Sequence, residues 1–91
     1  MPDQPPWCPP LVEGPERIIG HLLRWEYLEI SGYWCAWISW VQTTSTRHIH
    51  KVVCVQARSI KPIEEPDAYA QVPRRIRYRD GTIRPLPHAR K

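Results

Sequence analysis

The placement of proline constrains this chain more than any other feature of its sequence. Six of the eleven prolines lie within residues 1–15, the other five lie from Pro62 onward, and residues 16–61 contain none. Because proline cannot donate a hydrogen bond to a sheet ladder, it is kept out of central strands. We therefore expect the core within residues 16–61, preceded by an extended and poorly ordered Pro-rich arm at residues 1–15.

Two segments of the proline-free window have the composition of β-strands. Residues 33–41 and residues 48–57 are rich in aromatic or β-branched side chains, a pattern that favours strands. The polar residues 42–47 lie between them. A connector of this length predicts a β-hairpin.

The segment from residue 17 to residue 30 is ambiguous. Its side chains alternate as in a strand, but Ile18, Leu22 and Trp25 also align roughly as on a helix. Gly20 weakens a helix, and no clear N-cap residue precedes the segment. We favour a strand that turns at Ser31 and Gly32.

Length and composition favour one small all-β domain. A chain of 91 residues forms a single domain with a modest core. It contains five Trp and four Tyr but no Phe, and we expect the large rings to fill a small barrel. The predicted organisation is a Pro-rich arm at residues 1–15, a small β-barrel at 16–72, and a basic hairpin and tail at 73–91.

The cysteines and the apolar stretches of the sequence indicate the cellular location that we expect for this protein. Cys8, Cys35 and Cys54 are odd in number and widely spaced, which does not suit a disulfide framework. No apolar run follows a charged start, so we expect no signal peptide. The longest apolar stretch, residues 33–41, is too short to cross a bilayer. We expect a cytoplasmic protein that has free thiols and does not associate with membranes.

The positive charge of the chain is concentrated near its end. Residues 1–71 carry six Lys or Arg and eight Asp or Glu, whereas residues 72–91 carry seven Lys or Arg and one Asp. Within the basic part, Asp80 and Gly81 lie between alternating side chains and predict a second hairpin. Pro85 limits its second strand, so we expect this hairpin to lie outside the main sheet.

Several segments together resemble SH3-like or Tudor-like small barrels. The resemblance covers about residues 17–63 and rests on glycine-aromatic strand entries and a closing turn before a proline, seen in Gly20–Leu23, Gly32–Ile38, Val52–Ala57 and Ser59–Pro62. It implies an SH3-like barrel, a fold whose members bind peptides, methylated side chains or nucleic acid. The stretch Val72–Arg75 also resembles the basic end of retroviral integrase C-terminal domains, which implies contact with nucleic acid.

The first candidate site is a row of cations in the basic part of the chain. Alternation would place Arg75, Arg77 and Arg79 on one strand face, where guanidinium groups can follow a phosphate backbone and Tyr78 can stack on a base. The residues predicted to bind nucleic acid or an acidic protein surface are Arg74, Arg75, Arg77, Tyr78, Arg79 and Arg84, with Arg90 and Lys91 in the tail beyond them. The alternatives are a solvated tail, or a tail that folds back on Glu64, Glu65 and Asp67.

The second candidate site is an aromatic face on the strand at residues 33–41. Both faces of this strand carry tryptophan, yet a small barrel has one interior. The outer face, formed by Tyr33, Trp37 and Val41, is expected at the surface or in a subunit contact. It would serve as a peptide groove, a cage for a cation or a homodimer seam, unless Trp7 and Leu11 of the arm cover it.

Metal binding and catalysis have weaker support. His48, His50 and Cys54 share one strand face, and Cys35 is expected on the neighbouring strand, so these residues are weak candidates for zinc ligands. No C-x-x-C motif accompanies them, and partly buried cysteines with surface histidines are favoured instead. Nothing in the sequence orients a nucleophile beside a base. We expect neither a metal nor another cofactor, and we expect a protein that is not an enzyme.

The basic segment after a slightly acidic barrel indicates an interaction module. We expect its basic arm to contact nucleic acid as an accessory or regulatory factor. The alternative is a protein-protein module, either peptide-binding or homodimerising, that uses the aromatic face.

Overall fold

The structure, a computed structural model, describes residues 8–86 and consists of β-strands joined by turns and short 3₁₀ helices. The seven strands are β1 (Leu11–Glu13), β2 (Ile19–Leu28), β3 (Tyr33–Thr43), β4 (His48–Gln56), β5 (Lys61–Pro62), β6 (Arg74–Arg77) and β7 (Ile83–Leu86). The 3₁₀ helices are Pro15–Arg17, Ala57–Ser59 and Pro66–Tyr69. The all-β prediction is confirmed, and residues 17–30 contribute a strand. Within residues 8–86 there is no helix of the length and apolar character needed to cross a membrane.

Strand β2 organises the sheet, because other strands pair with both of its edges. The strand order is β4-β3-β2-β1-β5, and all these neighbours are antiparallel. β3 pairs along one edge of β2, while β1 and then β6 share the other edge. β4 and β5 do not pair with each other among the described strands, so the sheet does not close. The SH3-like barrel therefore stays a prediction.

The core lies on one side of this sheet and draws on residues outside the proline-free window. Its fully buried side chains are Val12, Leu22, Ala36, Ile38 and Val72, with Trp25, Trp40, Val55, Ile60 and Tyr69 packed against them. The contributions of Val12 and Val72 differ from the prediction that residues 16–61 hold the core.

The predicted arm at residues 1–15 also needs correction, because residues 11–13 form a strand. β1 pairs with β2 on one side and with β5 on the other. The Tyr69 hydroxyl donates a hydrogen bond of 2.6 Å to the Leu11 carbonyl and so holds this strand at its start. Pro9 and Pro10 come directly before β1 and do not interrupt it. These prolines therefore indicate where the strand begins, not that the segment is disordered. Residues 1–7, including Trp7, lie outside the described part of the chain.

A β-bulge in β2 explains the ambiguous pattern of residues 17–30. Leu22 pairs with Ile38, but Arg24 pairs with Trp37, so β2 contains one extra residue between these pairs. After the bulge the alternation is inverted, and Leu22 and Trp25 both face the core. A spacing of three residues between two core positions imitates the period of a helix.

The basic hairpin belongs to the main sheet, which corrects the expectation that it lies outside. β6 pairs in parallel with the second half of β2, and β7 pairs only with β6 among the described strands. The Tyr78 N–H donates to the Thr82 carbonyl, so Tyr78 and Thr82 are a hydrogen-bonded pair. Alternation from this pair puts the Pro85 nitrogen on the outer side of β7, where no ladder hydrogen bond is needed.

Candidate functional site

The polar side of the sheet carries a cluster that we call the Glu26 face. The register of the strands puts its members side by side, because Glu26 of β2 lies opposite Cys35 of β3 and opposite Arg75 of β6. Opposed residues of paired strands point to the same face of a sheet. The Glu26 face comprises Arg24, Glu26, Leu28, Tyr33, Cys35, Trp37, Cys54, Arg75 and Arg77.

Glu26 is a buried carboxylate with three hydrogen-bond donors. Its exposed fraction is 1%, although it lies on the polar side of the sheet. Nε of Arg75 donates to Oε1 over 2.6 Å, and Nε of Arg77 donates to Oε2 over 2.7 Å. Nε1 of Trp37 donates to Oε1 over 3.2 Å. β3 and β6 are thus joined through a single side chain of β2.

Burial and the two arginines act in opposite directions on the pKa of Glu26. Burial raises the pKa, because it removes water from the charged form. The hydrogen bonds from Arg77 and Arg75, together with the charges of these two side chains, lower it further than burial raises it. The pKa of Glu26 therefore lies below its ordinary value, and the carboxylate is ionised at neutral pH.

A third cation lies on the same face. The Arg24 guanidinium carbon is 5.6 Å from the centre of the Trp37 ring, which is a cation-π contact. Trp37 therefore has Arg24 over its ring and Glu26 at its indole N–H. The Glu26 face combines three arginines with one carboxylate, so its net charge is positive.

The residues predicted to bind nucleic acid do not lie together on one face of the sheet. Arg75 and Arg77 lie on the Glu26 face, where they also neutralise a buried carboxylate. The other four residues do not join them. Arg74 and Arg84 belong to the opposite face of the β6-β7 hairpin, while Tyr78 and Arg79 lie at the turn after β6.

The turn of the basic hairpin and the predicted acidic partner of the tail make contacts away from the Glu26 face. The backbone N–H of Arg79 donates to the Glu29 carboxylate over 2.9 Å, so the turn is held against the end of β2. Glu64, one of the acidic residues onto which the tail was predicted to fold, accepts a hydrogen bond from the Leu11 N–H. Arg90 and Lys91 lie outside the described residues.

The three residues of the predicted aromatic face differ in exposure. Tyr33 is 42% exposed and Val41 is 56% exposed, at opposite ends of β3. Trp37 lies between them and is half-buried beneath Arg24. Leu11, considered as a cover for this face, lies on the same side of the sheet beside His21.

The weak metal candidates are spread along β4. His50 and Cys54 point to one face but are four residues apart, about 13 Å along a strand, too far to share one ion. The His48 ring hydrogen-bonds with the Thr43 hydroxyl over 3.1 Å. Within residues 8–86, no group of three or more His, Cys, Asp or Glu side chains is arranged to hold a metal.

The two cysteines of the Glu26 face are diagonal neighbours on β3 and β4. Cys35 is buried, and Cys54 lies opposite Trp37. Loss of solvent around the thiol and its hydrogen bond with Cys35 together raise the pKa of Cys54 to about 12. Cys54 is therefore protonated at neutral pH, which does not favour metal binding.

Arg24, Glu26 and Leu28 are the members of the Glu26 face that the sequence did not assign to a site. Arg24 and Glu26 stand out as charged side chains in a mostly apolar strand. A carboxylate in such a strand signals a buried ion pair, but its partners are 49 and 51 residues away in sequence.

Comparisons with protein-family models, with curated proteins and with solved structures gave no match for this chain.

Proposed function

We propose that this protein is a non-enzymatic nucleic-acid-binding module that contacts the phosphate backbone with the Glu26 face. The observation that carries the proposal is the fixed position of two guanidinium groups. Arg75 and Arg77 are held through their Nε atoms by a buried carboxylate, yet their side chains are 25% and 38% exposed. Each guanidinium has four further N–H donors, and a planar fork of donors suits phosphate oxygens.

The neighbouring side chains supply further groups that suit a nucleic acid. Arg24 adds a third cation beside this pair, placed by its contact with the Trp37 ring. Tyr33 lies opposite Leu28, whose other neighbour is Arg77, and its exposed ring is available for stacking on an unpaired base. The resemblance to SH3-like barrels is in keeping with this role, since nucleic acid is one of the ligands of that fold.

A salt titration tests the proposal. Fluorescence anisotropy with labelled single-stranded and duplex oligonucleotides measures affinity between about 50 mM and 200 mM salt. Three phosphate contacts predict a slope of log K against log salt of about −2 to −3. Absence of binding to either oligonucleotide at the low-salt end contradicts the proposal.

The informative variant is Arg24→Ala, because the ion pairs of Glu26 stay in place. Removing one phosphate contact is expected to weaken binding at all sequences and to make the slope shallower by about one unit. Arg47→Ala is the matched control, since Arg47 is an exposed arginine at the β3-β4 turn, away from the Glu26 face. Equal effects of the two substitutions would show that only total charge matters.

An acidic protein surface is the closest alternative partner, because carboxylates also suit arginine. Competition with polyglutamate separates the two partners. Nucleic-acid binding that polyglutamate displaces at equal charge concentration would favour the acidic partner. A protein-binding aromatic face at Tyr33, Trp37 and Val41 has less support, since Trp37 already contacts Arg24 and Glu26.

A further inference from the structure

β4 has an outer edge with which no described strand pairs. The other edges are protected, because β5 has two residues including Pro62, and β7 has four residues including Pro85. β4 has nine residues, none of which is proline. Short edge strands and edge prolines are common means of preventing strand addition. Only β4 lacks both among the edges in residues 8–86.

The hairpin turn determines which backbone groups of β4 face outward. The Thr44 N–H donates to the Arg47 carbonyl over 2.9 Å, so these two residues form a hydrogen-bonded pair. The pairing of β3 and β4 then continues without a register shift to the pair of Cys35 and Gln56. Since hydrogen-bonded and non-hydrogen-bonded pairs alternate, the outward N–H and C=O groups belong to His48, His50, Val52, Cys54 and Gln56.

We propose that two copies of this chain associate by antiparallel pairing of their β4 strands about a two-fold axis at Val52. In this register all nine residues of β4 are paired, and every outward backbone group meets an outward group of the second copy. Lys51 then lies opposite the partner's Val53. A register centred on Lys51 would put two like charges directly opposite each other, which is unfavourable.

The side chains of this edge support the same register. Val52 and Val41 are 46% and 56% exposed, and they are diagonal neighbours on one face of β3 and β4. Pairing at Val52 brings the partner's Val52 against this apolar patch. On the core side, Ile49 lies opposite the partner's Val55. Cross-strand pairs of β-branched residues stabilise antiparallel sheets.

This interface goes beyond nucleic-acid binding and is tested on the full chain without nucleic acid. Light scattering over a concentration series is expected to show a rise from the monomer mass of 10.8 kDa to twice that mass. Amide exchange identifies the edge: the N–H groups of His50, Val52 and Cys54 gain protection as the dimer forms. The N–H groups of Ile49 and Val53 face β3 and are protected at every concentration. A monomer mass at all concentrations overturns the proposal, as does a dimer whose outward amides stay unprotected.

Val52→Pro is the matching variant. It removes an outward N–H and leaves the hydrogen bonds to β3 in place, so a folded monomer is expected. Val52→Thr is the control, because it keeps both the N–H and the β-branched shape, and it is expected to dimerise. A folded Val52→Pro protein that still dimerises overturns the proposal. If this variant does not fold, the amide exchange of the unmodified chain decides the question.

Discussion

Replacing Glu26 by Gln tests whether the buried carboxylate holds the β6-β7 hairpin on the sheet. The substitution keeps the shape of the side chain and one acceptor oxygen, but it removes the charge that two arginines share. One charge-assisted hydrogen bond to arginine is lost and the other is weakened, and such bonds contribute about 1.5–3 kcal/mol each. Removing one partner of a fully buried ion pair costs about 3–5 kcal/mol.

Solvent reduces this cost, because the side chains of Arg75 and Arg77 are 25% and 38% exposed and can be hydrated after the substitution. We therefore expect Glu26→Gln to lower the free energy of unfolding by about 2–4 kcal/mol. Urea denaturation at neutral pH measures the change as a lower midpoint with an unchanged slope. A small domain has about 5–15 kcal/mol of stability in total, so the loss is large.

Glu29→Gln is the control for this experiment. Glu29 is an exposed carboxylate of the same end of the sheet, and it accepts a hydrogen bond from the Arg79 backbone. We expect its substitution to cost less than about 1 kcal/mol, as exposed interactions usually do. If the two variants have the same stability, the carboxylate of Glu26 does not hold the hairpin and the reasoning is refuted.

The pKa shifts and one close backbone contact give further expectations. Because the folded state lowers the pKa of Glu26 below 4.5, its stabilisation is complete above that pH and is lost as the pH falls through the lowered value; Glu26→Gln is expected to remove this part of the acid dependence of urea midpoints. Gly20→Ala is expected to lower the melting temperature, at a cost of about 1–3 kcal/mol, because its Cβ would lie 2.5 Å from Ile38 and 2.7 Å from the Ser39 carbonyl. At pH 8, iodoacetamide is expected to label Cys8 well before Cys54 although both are exposed, since the pKa of Cys54 is about 12, and equal labelling rates by mass spectrometry would contradict this order.

Local patterns predicted those parts of the fold in which neighbours in sequence are neighbours in space. The hairpin of β3 and β4 was clear because a short polar connector joins two strongly β-forming segments. β2 was less clear because its bulge inverts the alternation. The strand at Val12 is hidden in the sequence by the prolines around it, which suggest disorder although none of them lies within residues 11–13.

The candidate site was predictable only in part, for a related reason. The sequence identified Arg75, Arg77 and Trp37 as notable residues in two separate sites. Their common partner Glu26 is reached through a parallel pairing of β2 and β6, which depends on the path of the chain between them. Local periodicity cannot show which strands become parallel neighbours.

The ion pairs explain why β6 stays on β2, but they do not explain why it stays at one position along it. Arginines recur at alternate residues, so a shift of β6 by two residues would place Arg77 opposite Glu26 and bring Arg79 to the place of Arg77. Glu26 has two arginine partners in either arrangement, although the shift would also bring Arg75 opposite Arg24, a like-charge contact. Val72 differs between them, because it lies two residues before β6, is 2% exposed in the core, and would be pulled out by the shift. The buried carboxylate therefore supplies the attraction for the hairpin, and the apolar anchor before the hairpin, together with the charge of Arg24, selects the register of the arginines.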